Sequence, residues 1–355
     1  MLQQSRYLGD ILKEREIIAS APCRLDVSGT WDLKAFALLY EHIPPTTTNM
    51  ALSPRTYVCL KPFKKKWIRI SDDTASEEYR IDDIHFDTRF RLLFAIASHF
   101  NVHGFEIQLS YEAPPRSGLG GSGVLAITAI AAINKACEAF GEPEFSKPYI
   151  IELAHNIEDG LRYSYTGMQD QCAATYGGVN KWFWTYASPE SKFKRIELLP
   201  PSSFPALDSR LVVAYIGRNH TSDDVNSQQV AWFLNGRTRT PWFRINEIAN
   251  EFAEALLVSD WEKAGALISE ETAIRCELVP SRITPIGEKL MKIAHTLKAG
   301  FSTAGAGNGG CVWALCREPK DAVDLKSYWL EVLNRVETAK ILDVKIDSKG
   351  LIVSG

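Results

Sequence analysis

Short alternations of apolar and polar residues dominate the first third of the chain. Thr56–Leu60, Trp67–Ile70 and Phe105–Leu109 place apolar side chains at every second position. A period of two buries one face of a strand, so these runs predict a mixed sheet between residues 20 and 112. The period then lengthens. Phe90–Phe100, Val124–Phe140 and Pro148–Asp159 carry helical spacing, the last two predicting helices packed on that sheet. Phe193–Leu199 and Leu211–Gly217 read as strands, and the stretch between them, with Pro200, Pro201 and Pro205, as a domain boundary. A polar loop follows (Arg218–Gln229), then helical patterns at Phe243–Ser259, Trp261–Ala273 and Pro285–Lys298. A glycine turn, a strand, a helix at Ala322–Arg335 and short strands at Ala339–Ile346 and Leu351–Val353 close the chain. Helices and strands are segregated, which predicts an α+β fold with domains at 1–204 and 205–355.

Composition narrows the class without naming it. A chain of 355 residues with 45% hydrophobic and 23% charged residues is long enough for two cores. A net charge of −3 gives no reason to expect nucleic acid or an anionic membrane as partner. The one dense basic run, Lys61 to Lys66 with Trp67 and Arg69, reads as a solvated turn. No run of eighteen apolar residues suggests a membrane span, and Met1–Ile18 reads as a polar amphipathic helix without a signal-peptide core. Seven scattered cysteines fit reduced thiols and a cytoplasmic location. His99 and His103 have the spacing of a zinc pair but lack a third ligand.

The strongest chemical signal is Pro114-Pro-Arg-Ser-Gly118-Leu-Gly120-Gly121-Ser122-Gly123, between a strand pattern and an Ala-rich helix pattern. A glycine-rich turn entering a helix offers free N–H groups and the positive end of the dipole, an anion site; a plain flexible loop is the alternative. No Lys follows, as a P-loop requires. The later acids Glu138, Glu142 and Glu144 are misplaced for a dinucleotide fold.

Pro114-x-x-x-Gly118-Leu119-Gly120-x-Ser122 resembles the second signature of the GHMP kinases, with Gly121 and Gly123 where Ser and Ala are usual. Gly305-Ala306-Gly307-Asn308-Gly309-Gly310-Cys311 resembles the third, with Asn308 in place of a glycine, a residue that tolerates a left-handed backbone. Arg24-Leu-Asp26-Val-Ser28-Gly29-Thr30-Trp31-Asp32 is similar to the first signature of the fucokinase and heptose-kinase group. Gly167-Met168-Gln169-Asp170-Gln171, twelve residues beyond Glu158, resembles a motif of the D-glycero-D-manno-heptose 7-phosphate kinases, with Met168 where Lys is usual.

The resemblance implies two α+β lobes, the second ferredoxin-like, with a cleft between them. It implies an ATP-dependent, Mg²⁺-assisted sugar kinase acting on a small-molecule sugar or sugar phosphate, at the anomeric hydroxyl. ATP would lie on Pro115, Ser117, Gly118, Leu119, Gly120, Gly121, Ser122 and Gly123, and Mg²⁺ on Ser122 and Glu158. Asp170 would act on the acceptor hydroxyl, with Arg24 paired to it and able to reach the transferred group. Trp31, Asp32, His42, Gln169, Gly305, Ala306 and Gly307 would bind substrate; Asp32 as a helix cap and His42 as a core histidine are the alternatives. The other histidines, His85, His99, His103, His155, His220 and His295, default to structural roles. A GHMP kinase of a non-sugar alcohol and a non-catalytic sugar or nucleotide sensor remain open, as does a homodimer.

Overall fold

A computed structural model describes residues 5–162, 166–217 and 223–355. His220, residues 218–222 of the expected 218–229 loop and the first four residues lie outside that set; residues 223–229 begin a helix instead of continuing a loop. The first half begins with β1 (Arg6–Tyr7), α1 (Gly9–Glu14) and β2 (Ile17–Val27), where one helix was expected. Arg6 and Tyr7 instead pair with Val102 and His103, and the run from Ile17 joins the main sheet. Then come α2 (Lys34–Ala37), β3 (Thr46–Pro62), β4 (Trp67–Asp72), β5 (Ala75–Arg80), α3 (Arg91–Phe100), β6 (Val102–His103) and β7 (Phe105–Tyr111). Three helices, α4 (Gly121–Cys137), α5 (Lys147–Arg162) and α6 (Gln169–Tyr176), precede β8 (Val179–Trp184) and β9 (Phe193–Glu197).

The 17-residue β3 organises this sheet. Ser53 and Pro54 bulge out of register with β2, because proline cannot donate to the ladder. On either side of the bulge the strand changes partners: Thr46–Met50 pairs with β8, and Thr56–Pro62 with β7. Helix α4 packs on β2, β3, α3, α5 and α6. Residues 121–140 are apolar enough, by length and composition, to cross a bilayer, contrary to the sequence expectation; most of that helix is buried in this lobe, as a core helix would be.

The second half runs through α7 (Phe204–Asp208), β10 (Leu211–Tyr215), α8 (Asp223–Leu234), α9 (Arg239–Leu257), α10 (Trp261–Leu278), α11 (Pro285–Thr296), β11 (Gly300–Thr303), β12 (Cys311–Leu315), α12 (Pro319–Leu333), β13 (Lys340–Leu342) and β14 (Ile352–Ser354). Its antiparallel sheet has the order β11-β12-β10-β13, the split arrangement of a ferredoxin-like lobe. The prolines at 200–205 build a turn and α7 rather than a bare linker. Two features cross the expected boundary. β14 pairs with β2, so the tail returns to the first sheet. One apolar cluster also joins Leu25, Met50, Leu52 and Leu119 to Phe252, Leu267 and Trp313.

Candidate active site

Arg24 sits on β2, a strand buried along almost its whole length. Its guanidinium is therefore out of water and needs partners. Nε donates to Asp170 Oδ1 at 2.7 Å, and Nη1 donates to Gly118 O at 2.7 Å and lies 3.0 Å from Asp26 Oδ1. Burial opposes the charge, but the Asp170 and Asp26 carboxylates outweigh it and raise the Arg24 pKa. Asp170 stands in the first turn of α6 and is the open member of the pair, its side chain 24% exposed against 5% for Arg24.

The glycine-rich turn lies directly against this pair. Gly120 caps α4 with φ 83°, and a Cβ there would come within 3.3 Å of Asp170 and Arg24. Leu119 O accepts from Arg24 N at 3.1 Å. A Cβ on Gly123 would meet Asp170 Cβ at 2.6 Å and Gln171 N at 3.2 Å. The start of α4 is thus pressed onto the start of α6. Two helix N-termini and one carboxylate share a small volume, an arrangement able to hold an anionic group beside a base.

The second glycine loop completes the floor. Asn308 is left-handed, φ 57°, as its substitution for glycine requires. Cys311 N donates to Ser117 O at 2.7 Å, and a Cβ on Gly305 would meet Gly118 O at 3.0 Å. Two stretches almost two hundred residues apart in the chain therefore touch, as the two motifs imply.

Glu158 is buried on α5 and accepts from Gln171 Nε2 at 2.8 Å. Because Gly123 abuts Gln171, this bond places Glu158 one side chain away from the start of α4, where Ser122 sits. Gln169 is buried beside Gly29, with Nε2 2.7 Å from a Cβ placed there. Met168 is fully buried and serves as core. Pro115 lies exposed at the rim, and Gly305, Ala306 and Gly307 line the second loop.

Three expected sugar ligands do not present free groups at the Arg24–Asp170 cluster. Trp31 is completely buried, packed against Phe36, Phe233 and Phe243, and its Nε1 donates to Trp242 O, so no ring face is left for a sugar. Asp32 is also buried. Oδ1 accepts from Thr30 N at 3.1 Å and Oδ2 from Gln169 N at 3.0 Å, tying two loops together. Burial pushes its pKa up to about 7, helped by Asp170 and Asp26 and opposed by the Gln169 N–H. His42 is exposed on a turn, neither core nor part of the Arg24–Asp170 cluster. His103 accepts from Lys66 N through Nδ1, while His99 is exposed. Among the described residues no cluster of three His, Cys, Asp or Glu side chains suits a metal.

The structure adds residues to which the sequence assigned no role. Asp26 is paired to Arg24. Arg282, buried beside the second loop, donates to Gly305 O at 2.8 Å; burial and then the nearby Arg275 lower its pKa to about 10. Glu271 and Arg275 on α10 reach across to Ser28, Gly29 and Thr30. In the sequence these are only two charged residues four positions apart.

Residues 89–178 match the GHMP kinases N terminal domain, and residues 252–335 match the GHMP kinases C terminal domain. The chain is 25% identical over 358 residues to the bifunctional fucokinase/GDP-fucose pyrophosphorylase of Arabidopsis thaliana, covering 95% of this chain and 32% of that protein. It is 25% identical over 384 residues to the L-fucokinase/L-fucose-1-P guanylyltransferase of Bacteroides fragilis, covering 97% of this chain and 39% of that one. The chain thus spans well under half the length of these curated relatives. Its fold is similar to the crystal structure of a D-glycero-D-manno-heptose 1-phosphate kinase from Bacteroides thetaiotaomicron, with a TM-score of 0.72, 17% identity and coverage of 96% and 99% of the two chains.

Proposed function

Because the chain belongs to the GHMP kinase superfamily, we propose that it transfers the terminal phosphoryl group of ATP to a sugar or sugar phosphate, at the anomeric hydroxyl. One observation carries this reading: the Arg24–Asp170 pair lies against the first glycine turn, which in turn touches the second. Phosphoryl transfer needs alignment and charge neutralisation more than covalent chemistry from the protein. The backbone from Ser117 to Gly123 receives the phosphates of ATP at the N-terminus of α4. Asp170 accepts the hydrogen bond of the acceptor hydroxyl and takes its proton as the new O–P bond forms. Arg24, charged at any working pH, orients Asp170 and balances the charge beside it.

Ser122 and Glu158 are the residues that would hold Mg²⁺. The groups fit a hard cation: a hydroxyl, a buried carboxylate, and the Gln171 Oε1 beside it, which is buried without a protein partner. Bound there, the ion supplies charge neutralisation to the phosphates. Acceptor recognition falls to Asp26 and Gln169, which border Gly29, rather than to Trp31 and Asp32, whose polar atoms the fold already uses. The sugar reading is supported by similarity, over nearly the whole chain, to part of two longer proteins whose names include fucokinase.

The test is ATP turnover against a panel of free and phosphorylated hexoses, deoxyhexoses and heptoses, with non-sugar alcohols as controls. Turnover with a carbohydrate alone is expected. Turnover only with a non-sugar alcohol overturns the acceptor class, and ATP or sugar binding without turnover leaves a sensor.

A further inference from the structure

We propose that Glu271 and Arg275, on α10 of the second lobe, form a positioning pair for the acceptor: they hold the Ser28–Thr30 turn of the first lobe in place and so fix Asp26 and Gln169 beside Asp170. The inference rests on the kinase reading for the identity of the acceptor, but its geometric basis does not.

The turn has an unfavourable backbone. Ser28 has φ 62° and Thr30 φ 81°, on either side of Gly29. A positive φ is uncommon for any side-chain-bearing residue and an outlier for a β-branched one, and it persists only where the surroundings over-determine it. Here those surroundings are a buried ion pair. Arg275 Nε donates to Glu271 Oε1 at 2.6 Å, with the two side chains 4% and 3% exposed. The same Glu271 oxygen accepts from Ser28 N at 3.0 Å. Arg275 Nη2 donates to Gly29 O at 2.7 Å, and Nη1 reaches Thr30 Oγ1 at 3.4 Å. Three successive residues of one lobe are thereby held by two side chains of the other. The guanidinium also sits 4.9 Å from the Trp242 ring centroid, and Trp242 O holds Trp31, the next residue after the turn.

A buried ion pair contributes little net stability compared with apolar residues of the same volume. Stability alone therefore does not account for one here, whereas orienting a turn does. The turn in question borders the reacting groups. A Cβ on Gly29 would fall 2.7 Å from Gln169 Nε2 and closer still to Asp26 Oδ2, and Asp26 is paired with the arginine that holds Asp170. Ser28 Oγ and Gln169 Oε1 are both buried without a protein hydrogen-bond partner, so the turn carries polar capacity that its own fold does not use. Losing the pair lets the turn relax toward ordinary backbone angles and moves the acceptor's neighbours, while the ATP loop at the start of α4 keeps its own supports.

The direct test is the double variant Glu271→Gln/Arg275→Met, which removes both charges of the pair together and leaves the nearby buried Arg282 in place. The acceptor KM should rise at least about tenfold while the ATP KM moves less than about twofold, because only the acceptor's surroundings change. Hydrogen exchange, read on a peptide spanning residues 26–32, should lose protection relative to wild type. Arg275→Lys, which keeps the charge but not the fork, should fall between the two, and it provides the same comparison if the double variant does not fold. Equal rises in both KM values, or wild-type protection over 26–32, overturn the proposal. If wild type phosphorylates no sugar, the kinase reading fails, and the exchange measurement, which needs no substrate, still decides whether the pair holds the turn.

Discussion

The two glycine-rich loops look alike as letters and do different work. The first enters α4 and keeps one side toward the Arg24–Asp170 pair, its N–H groups at a helix start. The second joins β11 to β12 as a hairpin with no helix behind it, and its residues are left-handed at 305, 307, 308, 309 and 310. Its absent side chains make room for other protein: Gly310 packs on the Ser117 carbonyl and Gly307 on Arg282. Gly120 and Gly123 of the first loop make room for Arg24, Asp170 and Gln171, whereas Gly305, Gly307 and Gly310 of the second make room for Gly118, Arg282 and Ser117. A departure from the family pattern therefore has a different meaning in each.

The largest effect should come from the group that the first loop abuts, Asp170. Asp170→Asn should lower turnover by at least about a hundredfold with ATP affinity nearly unchanged, measured by steady-state rates and ATP calorimetry. A near-wild-type rate would remove Asp170 from the reaction. In the second loop, Gly310→Ala puts a Cβ against the Ser117 carbonyl at φ 74°. It should cost about 1–3 kcal/mol in urea unfolding, through strain rather than chemistry.

Within the first loop the comparison sharpens further. Gly123→Ala drives a methyl toward Asp170 Cβ, 2.6 Å away, so kcat should fall roughly tenfold with ATP binding retained. Gly121→Ala meets nothing within 4 Å, and its expected result is unchanged activity with a small gain in stability, about 0.5–1 kcal/mol. Equal behaviour of the two variants would refute the packing of α4 on α6.

The smallest effect concerns pH. Asp32 titrates near 7 when folded and at the ordinary 3.8 otherwise. Between those values the folded state holds a proton that the unfolded state has released. The group's stabilising contribution is full below about pH 4 and is lost as pH rises through 7. Urea midpoints at pH 5 and pH 8 should therefore drop more in wild type than in Asp32→Asn. Parallel drops would show that Asp32 is an ordinary carboxylate.

Much of this was legible in the sequence because the chemistry is local there. The 114–123 and 305–311 turns, and the Gln169-Asp170-Gln171 run, each show a pattern within about a dozen residues, and the structure sets the first turn against Asp170 and the second against the first. What was not legible depends on distant partners. Trp31 looks like a stacking residue until Phe233, Trp242 and Phe243, two hundred positions on, cover it. Asp32 looks like a ligand until the backbone of Thr30 and Gln169 uses both its oxygens. Glu271 and Arg275 drew no reading from the sequence, where the helical pattern ends at Ala273; their role shows only when a strained turn from the other lobe meets them. The Thr56–Leu60 run marks only part of β3, and only the bulge opposite Pro22 and Cys23 shows how the strand reaches back past Pro54 to Thr46.

The most direct test of the central claim is where the phosphate ends up. A ¹³C-labelled sugar turned over with ATP should give a product whose phosphorus couples to the anomeric carbon in NMR, and Asp170→Asn should give none. Coupling to a primary carbon, or a phosphorylated product that is not a carbohydrate, would contradict the account.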